Sequence, residues 1–276
     1  MNITEEKINK IIVDPLHTKK GSVKNVLGKE YFDLYPYLLF ISAKKKSGKT
    51  SLIWNIIKNT TDKNTKFFIF CGTYNVDQSW IKILKYLRKR GNVVETFDCI
   101  REDRNTNNLQ IVMDALTTVE DEPDNIEDQR GTKINFGVIP TPVKKKKRKK
   151  KRKKTEKKVC EYMFIFDDIS GELKNPAISQ FLKIHRHIGE GCNVILSSQY
   201  VKDITPSSAM QIDYFITFKN FSEERLRHIH KLLDLSIDFN DYLKLYYYAT
   251  SEPYKFLYTN TRSEEMRKGF SKRLKY

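Results

Sequence analysis

Long apolar segments are missing from this sequence of 276 residues. No apolar run approaches the roughly 20 residues that a transmembrane helix needs. The first residues, Met1–Lys7, also lack the apolar core of a secretion signal. We therefore expect neither a membrane span nor a signal peptide.

Cysteine is scarce as well. The chain has four cysteines, which lie far apart at positions 71, 99, 160 and 192 and form no C-x-x-C pair. A disulfide framework or a zinc site needs closer or paired spacing. We interpret the four residues as reduced intracellular thiols.

Positive charge is the one composition feature in excess. The net charge is +17, and residues 144–158 contribute 13 Lys and Arg against the single Glu156, a net +12. The rest of the chain carries only about +5, so the charge is concentrated in one segment. Acidic residues precede the basic run, and such blocks repel themselves, so we predict a disordered insertion over 120–158.

The function of the basic run stays open at this point. It fits a nuclear localisation signal, a tether that contacts DNA, or a solubilising loop. Its affinity for a polyanion would be sensitive to salt and blind to sequence, because bound Lys and Arg release counterions from phosphates.

The most informative segment is 43–50, AKKKSGKT, which lies between an apolar run at 37–41 and an apolar stretch at 51–57. This order is that of a strand, a P-loop and a helix, and only the first glycine of the pattern G-x-x-x-x-G-K-[ST] is replaced, by Ala43. Backbone N–H groups of such a loop and the helix N-terminus bind phosphate oxygens. We expect Lys49 to reach the β- and γ-phosphates of a bound nucleotide and the Thr50 hydroxyl to bind Mg²⁺. The predicted nucleotide-binding residues are Ala43, Lys44, Lys45, Lys46, Ser47, Gly48, Lys49, Thr50 and Ser51.

Predicted strands and helices alternate along the chain. Strands are expected at 37–41, 66–70, 93–96, 162–166, 193–197 and 212–218, and helices at 51–57, 77–90, 109–119, 176–188 and 223–235. Alternation of this kind predicts an α/β fold with a mostly parallel sheet and helices on both faces. With the P-loop, it points to the RecA-like (ASCE) P-loop NTPase fold. We expect an N-terminal extension over 1–30, a core over 31–235, and a C-terminal part over 236–276 with a strand near 255–258, a short helix and a basic tail.

Two further segments suit phosphate chemistry. The apolar run at 162–166 ends in Asp167 and Asp168. In P-loop enzymes a carboxylate at a strand end helps to bind Mg²⁺, and a second one can orient or deprotonate water. We assign Asp167 to the metal and Asp168 to water activation. Gln199 follows another strand, expected between the other two, and can contact the γ-phosphate or the water as donor and acceptor.

These motifs together resemble a known family. In order, they are the P-loop GKT, the Asp167-Asp168 pair, the pair Arg186-His187, the strand ending in Gln199, and the turn Thr205-Pro206. The order is similar to that of the poxvirus-type virion DNA-packaging ATPases of large nucleocytoplasmic DNA viruses and virophages, in the FtsK–HerA class. The resemblance covers roughly residues 33–235.

The resemblance implies a function. It implies an ATP- and Mg²⁺-dependent motor that moves double-stranded DNA into a preformed capsid. It also implies a ring of identical subunits, hexameric by analogy, and a capsid or portal-vertex protein as a partner. Such a motor acts in the virion or at a viral assembly site in the cytoplasm, or in the nucleus if the basic run is an import signal.

The chain departs from the family pattern in the P-loop, at Ala43 and at the commonly small position Ser47, and again after the Pro-containing turn. Ala and Ser are tolerated in the loop if their φ angles stay negative. The class often carries an arginine soon after the Pro-containing turn, where this chain has residues 207–210, SSAM. We name Arg186 as the substitute that would contact the γ-phosphate of a neighbouring subunit. An ordinary surface or ion-pair role for Arg186 remains open.

Two rival functions also remain. One is another P-loop enzyme, such as a helicase or a nucleotide kinase. The other is a nonenzymatic DNA-binding scaffold whose P-loop is degenerate, which the replacement at Ala43 and the missing arginine keep open.

Overall fold

A nine-stranded sheet organises the chain. The computed structural model describes residues 26–103, 106–118, 158–189 and 191–275. The strands are β1 Leu38–Ser42, β2 Lys66–Cys71, β3 Val94–Phe97, β4 Tyr162–Asp167, β5 Cys192–Ser198, β6 Tyr214–Phe218, β7 Phe256–Asn260, β8 Met266–Lys268 and β9 Lys272–Arg273. Their order in the sheet is β3-β2-β4-β5-β1-β6-β7-β8-β9. The first six are parallel and the last three antiparallel, so the predicted α/β class is confirmed.

Helices cover both faces of this sheet. They are α1 Lys49–Thr60, α2 Gln78–Arg90, α3 Asn108–Thr118, α4 Pro176–Ile184, α5 Pro206–Ala209, α6 Glu223–Leu232 and α7 Phe239–Ala249. The apolar residues of α1 and α2 belong to one core cluster. Those of α3, α4, α6 and α7 belong to a second cluster. The sheet separates the two cores.

Strand β1 shows why its sequence is continuously apolar. Leu38 and Phe40 belong to one core cluster, whereas Leu39 and Ile41 belong to the other. Successive side chains of a strand point to opposite faces. A strand with helices on both faces therefore buries every position, and all four side chains are fully buried.

Local chemistry sets the ends of two of the helices. The Asp77 carboxylate accepts from the amide of Ser79 at 2.6 Å, which caps the start of α2. Gly91 ends that helix in the left-handed conformation at φ 88°. Asn175 caps α4 in the same way as Asp77, and Pro176 occupies its first turn.

Some element bounds differ from the expectation. The α-helix α4 stops at Ile184, and a 3-10 turn over His185–His187 follows it. The helix in the C-terminal part is α7, Phe239–Ala249, and it precedes the strand β7. The hairpin of β8 and β9 was not predicted, because its five residues are too few for a periodic pattern.

Most of two predicted segments, the N-terminal extension and the charged insertion, falls outside the described residues. Of the N-terminal extension only 26–30 is described, and of the charged insertion only Lys158, whose carbonyl accepts from the Leu27 amide at 2.8 Å. In the described ranges, no helix is both long and apolar enough to cross a membrane.

The burial of His185 makes the free energy of unfolding depend on pH. His185 is buried while His187 is exposed, so the two rings point in different directions. Burial lowers the pKa of His185 from 6.5 to about 4. The unfolded chain therefore binds the proton more strongly. The contribution of neutral His185 to the free energy of unfolding is fully present above pH 6.5. As the pH falls from 6.5 towards 4, the free energy of unfolding decreases by roughly 3 kcal/mol.

Chemical denaturation between pH 4 and 7 measures this effect. His185→Gln should flatten the dependence, because Gln does not titrate. His187→Gln is the matched control and should leave the dependence as in the wild type. Equal slopes in the wild type and His185→Gln would contradict the assignment to this ring.

Candidate active site

The carboxyl edge of the parallel strands gathers the predicted site residues. The P-loop follows β1, the pair Asp167 and Asp168 ends β4, and Gln199 follows β5. Strand β5 lies between β4 and β1, as the sequence interpretation required. Parallel strands end at the same edge, which is where open α/β sheets bind their ligands.

The start of α1 is open to an anion. Gly48 is the N-cap of this helix, and no side chain caps it. The first intrahelical bond runs from the Leu52 amide to the Gly48 carbonyl at 2.9 Å. The amides of Lys49, Thr50 and Ser51 precede that bond, and early helix amides are donors without an intrahelical partner. They can donate to phosphate oxygens.

The conformation of the loop explains why Ala43 replaces a glycine. Positive φ angles occur at Gly48, at 94°, and at Lys46, at 63°, and not at Ala43 or Ser47. Ala and Ser are tolerated at these two positions because neither has a positive φ angle. Ala43 is fully buried, and its amide donates to the Ser198 carbonyl at 3.1 Å, which links the loop to β5.

The Lys49 ammonium joins the P-loop to the two carboxylates. Its Nζ lies 2.7 Å from Asp167 Oδ1 and 2.8 Å from Asp168 Oδ1. Burial disfavours the charged lysine, but the two carboxylates outweigh burial, and the pKa of Lys49 is raised. Lys49 is therefore cationic at neutral pH.

Two donors that the sequence reading did not assign hold the carboxylates. The Trp80 indole Nε1 donates to Asp167 Oδ2 at 3.0 Å, and both residues are fully buried. The Thr73 hydroxyl donates to Asp168 Oδ2 at 3.2 Å. A tryptophan in the buried stripe of α2 was a signal for such a bond, because a buried indole N–H usually has a partner.

Asp168 has an unusual backbone and is ionised. Its φ is 53°, a left-handed value that residues other than glycine rarely adopt. Residues with such backbone angles are concentrated at functional sites. Burial alone would raise the pKa of Asp168, but Lys49 and Thr73 lower it below the ordinary value. The carboxylate can accept a hydrogen bond but is a weak base.

The oxygen donors here fit Mg²⁺. A carboxylate at Asp167 and a hydroxyl at Thr50 are hard ligands of the kind that this cation prefers. Among the described residues, no group of three or more His, Cys, Asp or Glu could bind a metal by itself. Mg²⁺ in phosphate sites uses one or two carboxylates together with phosphate oxygens and water, which matches this sparse donor set.

Gln199 is positioned through its backbone. Ser198 pairs with Ser42, the residue before the P-loop, so Gln199 leaves the sheet beside that loop. The Gln199 carbonyl accepts from Arg225 Nη2 at 2.7 Å. The guanidinium of Arg225 also stacks on Tyr200 and Phe221, at 4.3 and 4.7 Å from the ring centroids. The sequence analysis missed Arg225, because its contact with Gln199 joins α6 to the end of β5 across 26 positions of the chain.

Arg186 is the one predicted site residue that lies elsewhere. Its Nη2 is 2.7 Å from Oδ1 of the buried Asp213, which also pairs with Arg262 at 3.0 Å. Asp213 precedes β6 and accepts from the Leu38 amide at 2.9 Å, so the cluster is at the amino edge of the sheet. Arg186 is therefore at the opposite edge from the P-loop of its own subunit.

Comparison with known proteins supports the fold. No family model and no curated protein matches this sequence. Among solved structures, the genome packaging NTPase B204 from Sulfolobus turreted icosahedral virus 2, in complex with AMP, is similar, with 18% identity and a TM-score of 0.50, over 84% of this chain and 95% of that one. B204, the DNA-packaging ATPase from Sulfolobus turreted icosahedral virus, has 20% identity and a TM-score of 0.49, over 84% and 96%.

A secretion ATPase also aligns. The cytoplasmic domain of the type VII secretion ATPase EccC from Thermomonospora curvata has 15% identity and a TM-score of 0.42, over 82% of this chain and 24% of that one. The likeness to the first of the three shows that this chain has the fold of a packaging NTPase. The resemblance found in the sequence is confirmed at the level of the fold.

Trp80 gives a test of how the carboxylate is held. Trp80→Phe removes the donor to the buried Asp167 and should lower the unfolding free energy by about 1–3 kcal/mol, because a buried charged acceptor loses a partner. Urea denaturation measures the loss. Trp54→Phe is the control, since Trp54 is half-buried on α1 and packs edge-on against Tyr86 at 4.6 Å. Equal losses in both variants would assign the effect of Trp80 to packing alone.

Proposed function

We propose that this chain is an ATP-hydrolysing motor that translocates double-stranded viral DNA into a preformed capsid. The observation that carries the proposal is the contact of Lys49 in the P-loop with both Asp167 and Asp168. A P-loop lysine and an acidic strand end at one sheet edge are the two recurring parts of P-loop hydrolysis sites. The fold of a genome packaging NTPase supports the choice among P-loop enzymes.

The phosphates of ATP would be bound by segment 43–51. The amides at the start of α1 would donate to phosphate oxygens, and Lys49 would neutralise charge on the β- and γ-phosphates. Mg²⁺, held by Thr50 and Asp167, would neutralise further charge on the phosphate oxygens. A complex of B204 with AMP supports nucleotide as the ligand class.

Water would attack the γ-phosphate in line with the leaving oxygen. Asp168 would accept a hydrogen bond from that water, and its lowered pKa supports an orienting role over strong proton abstraction. Gln199, placed beside the P-loop by β5, would contact the water or the γ-phosphate. The products are ADP and phosphate.

The partners follow from the same proposal. Translocation needs double-stranded DNA, bound without sequence preference, and we propose a ring of identical subunits, hexameric by analogy, docked on a capsid or portal-vertex protein. The motor would act in the virion or at a viral assembly site. Residues 144–157 of the basic run lie outside the described residues, so its action as a DNA tether stays a prediction. No comparison supports a nuclear signal.

Arg186 would act across the subunit interface. A ring with head-to-tail contacts brings one edge of a subunit against a different edge of its neighbour. Arg186 at the amino edge could then reach the nucleotide of the next subunit, where an arginine stabilises the charge of the transition state. Its pairing with Asp213 favours the structural alternative, so a test must separate the two.

Phosphate release tests the motor itself. We expect turnover of ATP that double-stranded DNA stimulates at moderate salt. Lys49→Ala and Asp168→Asn should each lower it by at least about 100-fold, whereas Lys82→Ala, at an exposed position of α2, should not. Turnover indifferent to DNA would favour a kinase-like enzyme. DNA binding without any turnover would favour the scaffold.

Mixing of variants tests Arg186. If it acts in trans, Arg186→Ala and Lys49→Ala subunits are each inactive, and a mixture recovers part of the turnover, because some interfaces pair an intact Lys49 site with an intact Arg186. If Arg186 is structural, mixing restores nothing, and Arg186→Ala lowers the unfolding free energy. Arg262→Ala, which removes the other partner of Asp213, is the matched control for the structural loss.

A further inference from the structure

Tyr254 combines two features that ordinary packing does not explain. Its side chain is 73% exposed, and its φ is 61°, in the left-handed region. That conformation is strained for an aromatic residue and usually selects glycine or asparagine. Strained residues tend to cluster where a ligand is bound.

The loop that carries Tyr254 is firmly attached to the sheet. Lys219, just after β6, donates from Nζ to the Ser251 carbonyl at 3.2 Å. Lys268 in β8 lies 2.6 Å from the Glu252 carboxylate and 3.2 Å from the Ser251 hydroxyl. The start of the loop is therefore attached to β8 and to the residue that follows β6.

The ring lies against the P-loop. A Cβ built on Gly48 would be 3.1 Å from Tyr254 Cδ1 and 3.9 Å from its Cε1. Strand β7 starts two residues later, with Phe256 paired to Phe218 at the carboxyl edge. Tyr254 thus stands at the phosphate-binding edge with most of its side chain exposed.

The direction of a bound nucleotide follows from the strand order. Lys49, Asp167 and Asp168 define the γ-phosphate end, on the side of β1 where β5 and β4 lie. The sugar and base must extend away from these carboxylates. Strands β6 and β7 lie on the other side of β1, and Tyr254 precedes β7 there.

We propose that the Tyr254 ring stacks on the base of the nucleotide whose phosphates segment 43–51 binds. The inference rests on the proposed function, since it names a base subsite of the same site. Stacking uses the π-face that every base presents, so Tyr254 contributes affinity for ATP and GTP alike. It contributes nothing to the binding of a phosphate chain without a base.

Calorimetric titration with Mg-ATP and with Mg-tripolyphosphate tests the inference. Tyr254→Gly removes the ring and suits the left-handed backbone, and Tyr254→Asn repeats the test with a side chain. Both should weaken ATP binding by about 10-fold, the lower range of base stacking on an aromatic, and leave tripolyphosphate binding unchanged. Tyr254→Phe should bind ATP as the wild type does.

Controls separate this inference from the function on which it rests. Tyr247→Ala, at an exposed tyrosine of α7, should change neither titration. Unchanged ATP affinity in Tyr254→Gly, or equal losses for ATP and tripolyphosphate, overturns the stacking role alone if Lys49→Ala still abolishes tripolyphosphate binding. If the Tyr254 side chain binds DNA instead of the nucleotide, Tyr254→Gly would weaken DNA binding and leave ATP binding unchanged. Wild-type protein that binds neither phosphate compound overturns the nucleotide site and the inference together.

Discussion

The contact of one lysine with two carboxylates connects the parts of this structure that the proposed chemistry needs. Lys49 belongs to the loop between β1 and α1, and Asp167 and Asp168 belong to the end of β4, with β5 between the two strands. The Lys49 side chain is largely buried, and a buried ammonium is costly unless it is paired. The pairing therefore requires that β4 and β1 end at the same height, and the register of the parallel sheet provides that alignment.

Much of this site could be predicted because its signals are local. The P-loop, the acidic strand end and Gln199 each sit within a short stretch in which apolar residues give way to polar ones. Trp80 and Thr73 could not be assigned in the same way. Their bonds to Asp167 and Asp168 span 87 and 95 positions of the chain, and no periodicity encodes contacts between residues so far apart.

Arg186 shows a different limit of sequence reading. A connecting helix returns the chain to the amino edge of a parallel sheet, so the position between α4 and β5 already places Arg186 there, but no local pattern indicated the partner of its side chain. The partner that explains its placement, Asp213, lies 27 positions later and is buried. A buried carboxylate needs compensating charge, and two arginines meet that need here.

The hydrogen bond between the Trp80 indole and Asp167 also makes the fluorescence of Trp80 a reporter of changes at that carboxylate. The chain has two tryptophans, and only Trp80 donates to a carboxylate of the site. Indole emission responds to the charge and hydrogen bonding of its surroundings. A change at Asp167, such as the arrival of a cation, would therefore appear in the emission of a buried fluorophore that needs no chemical label.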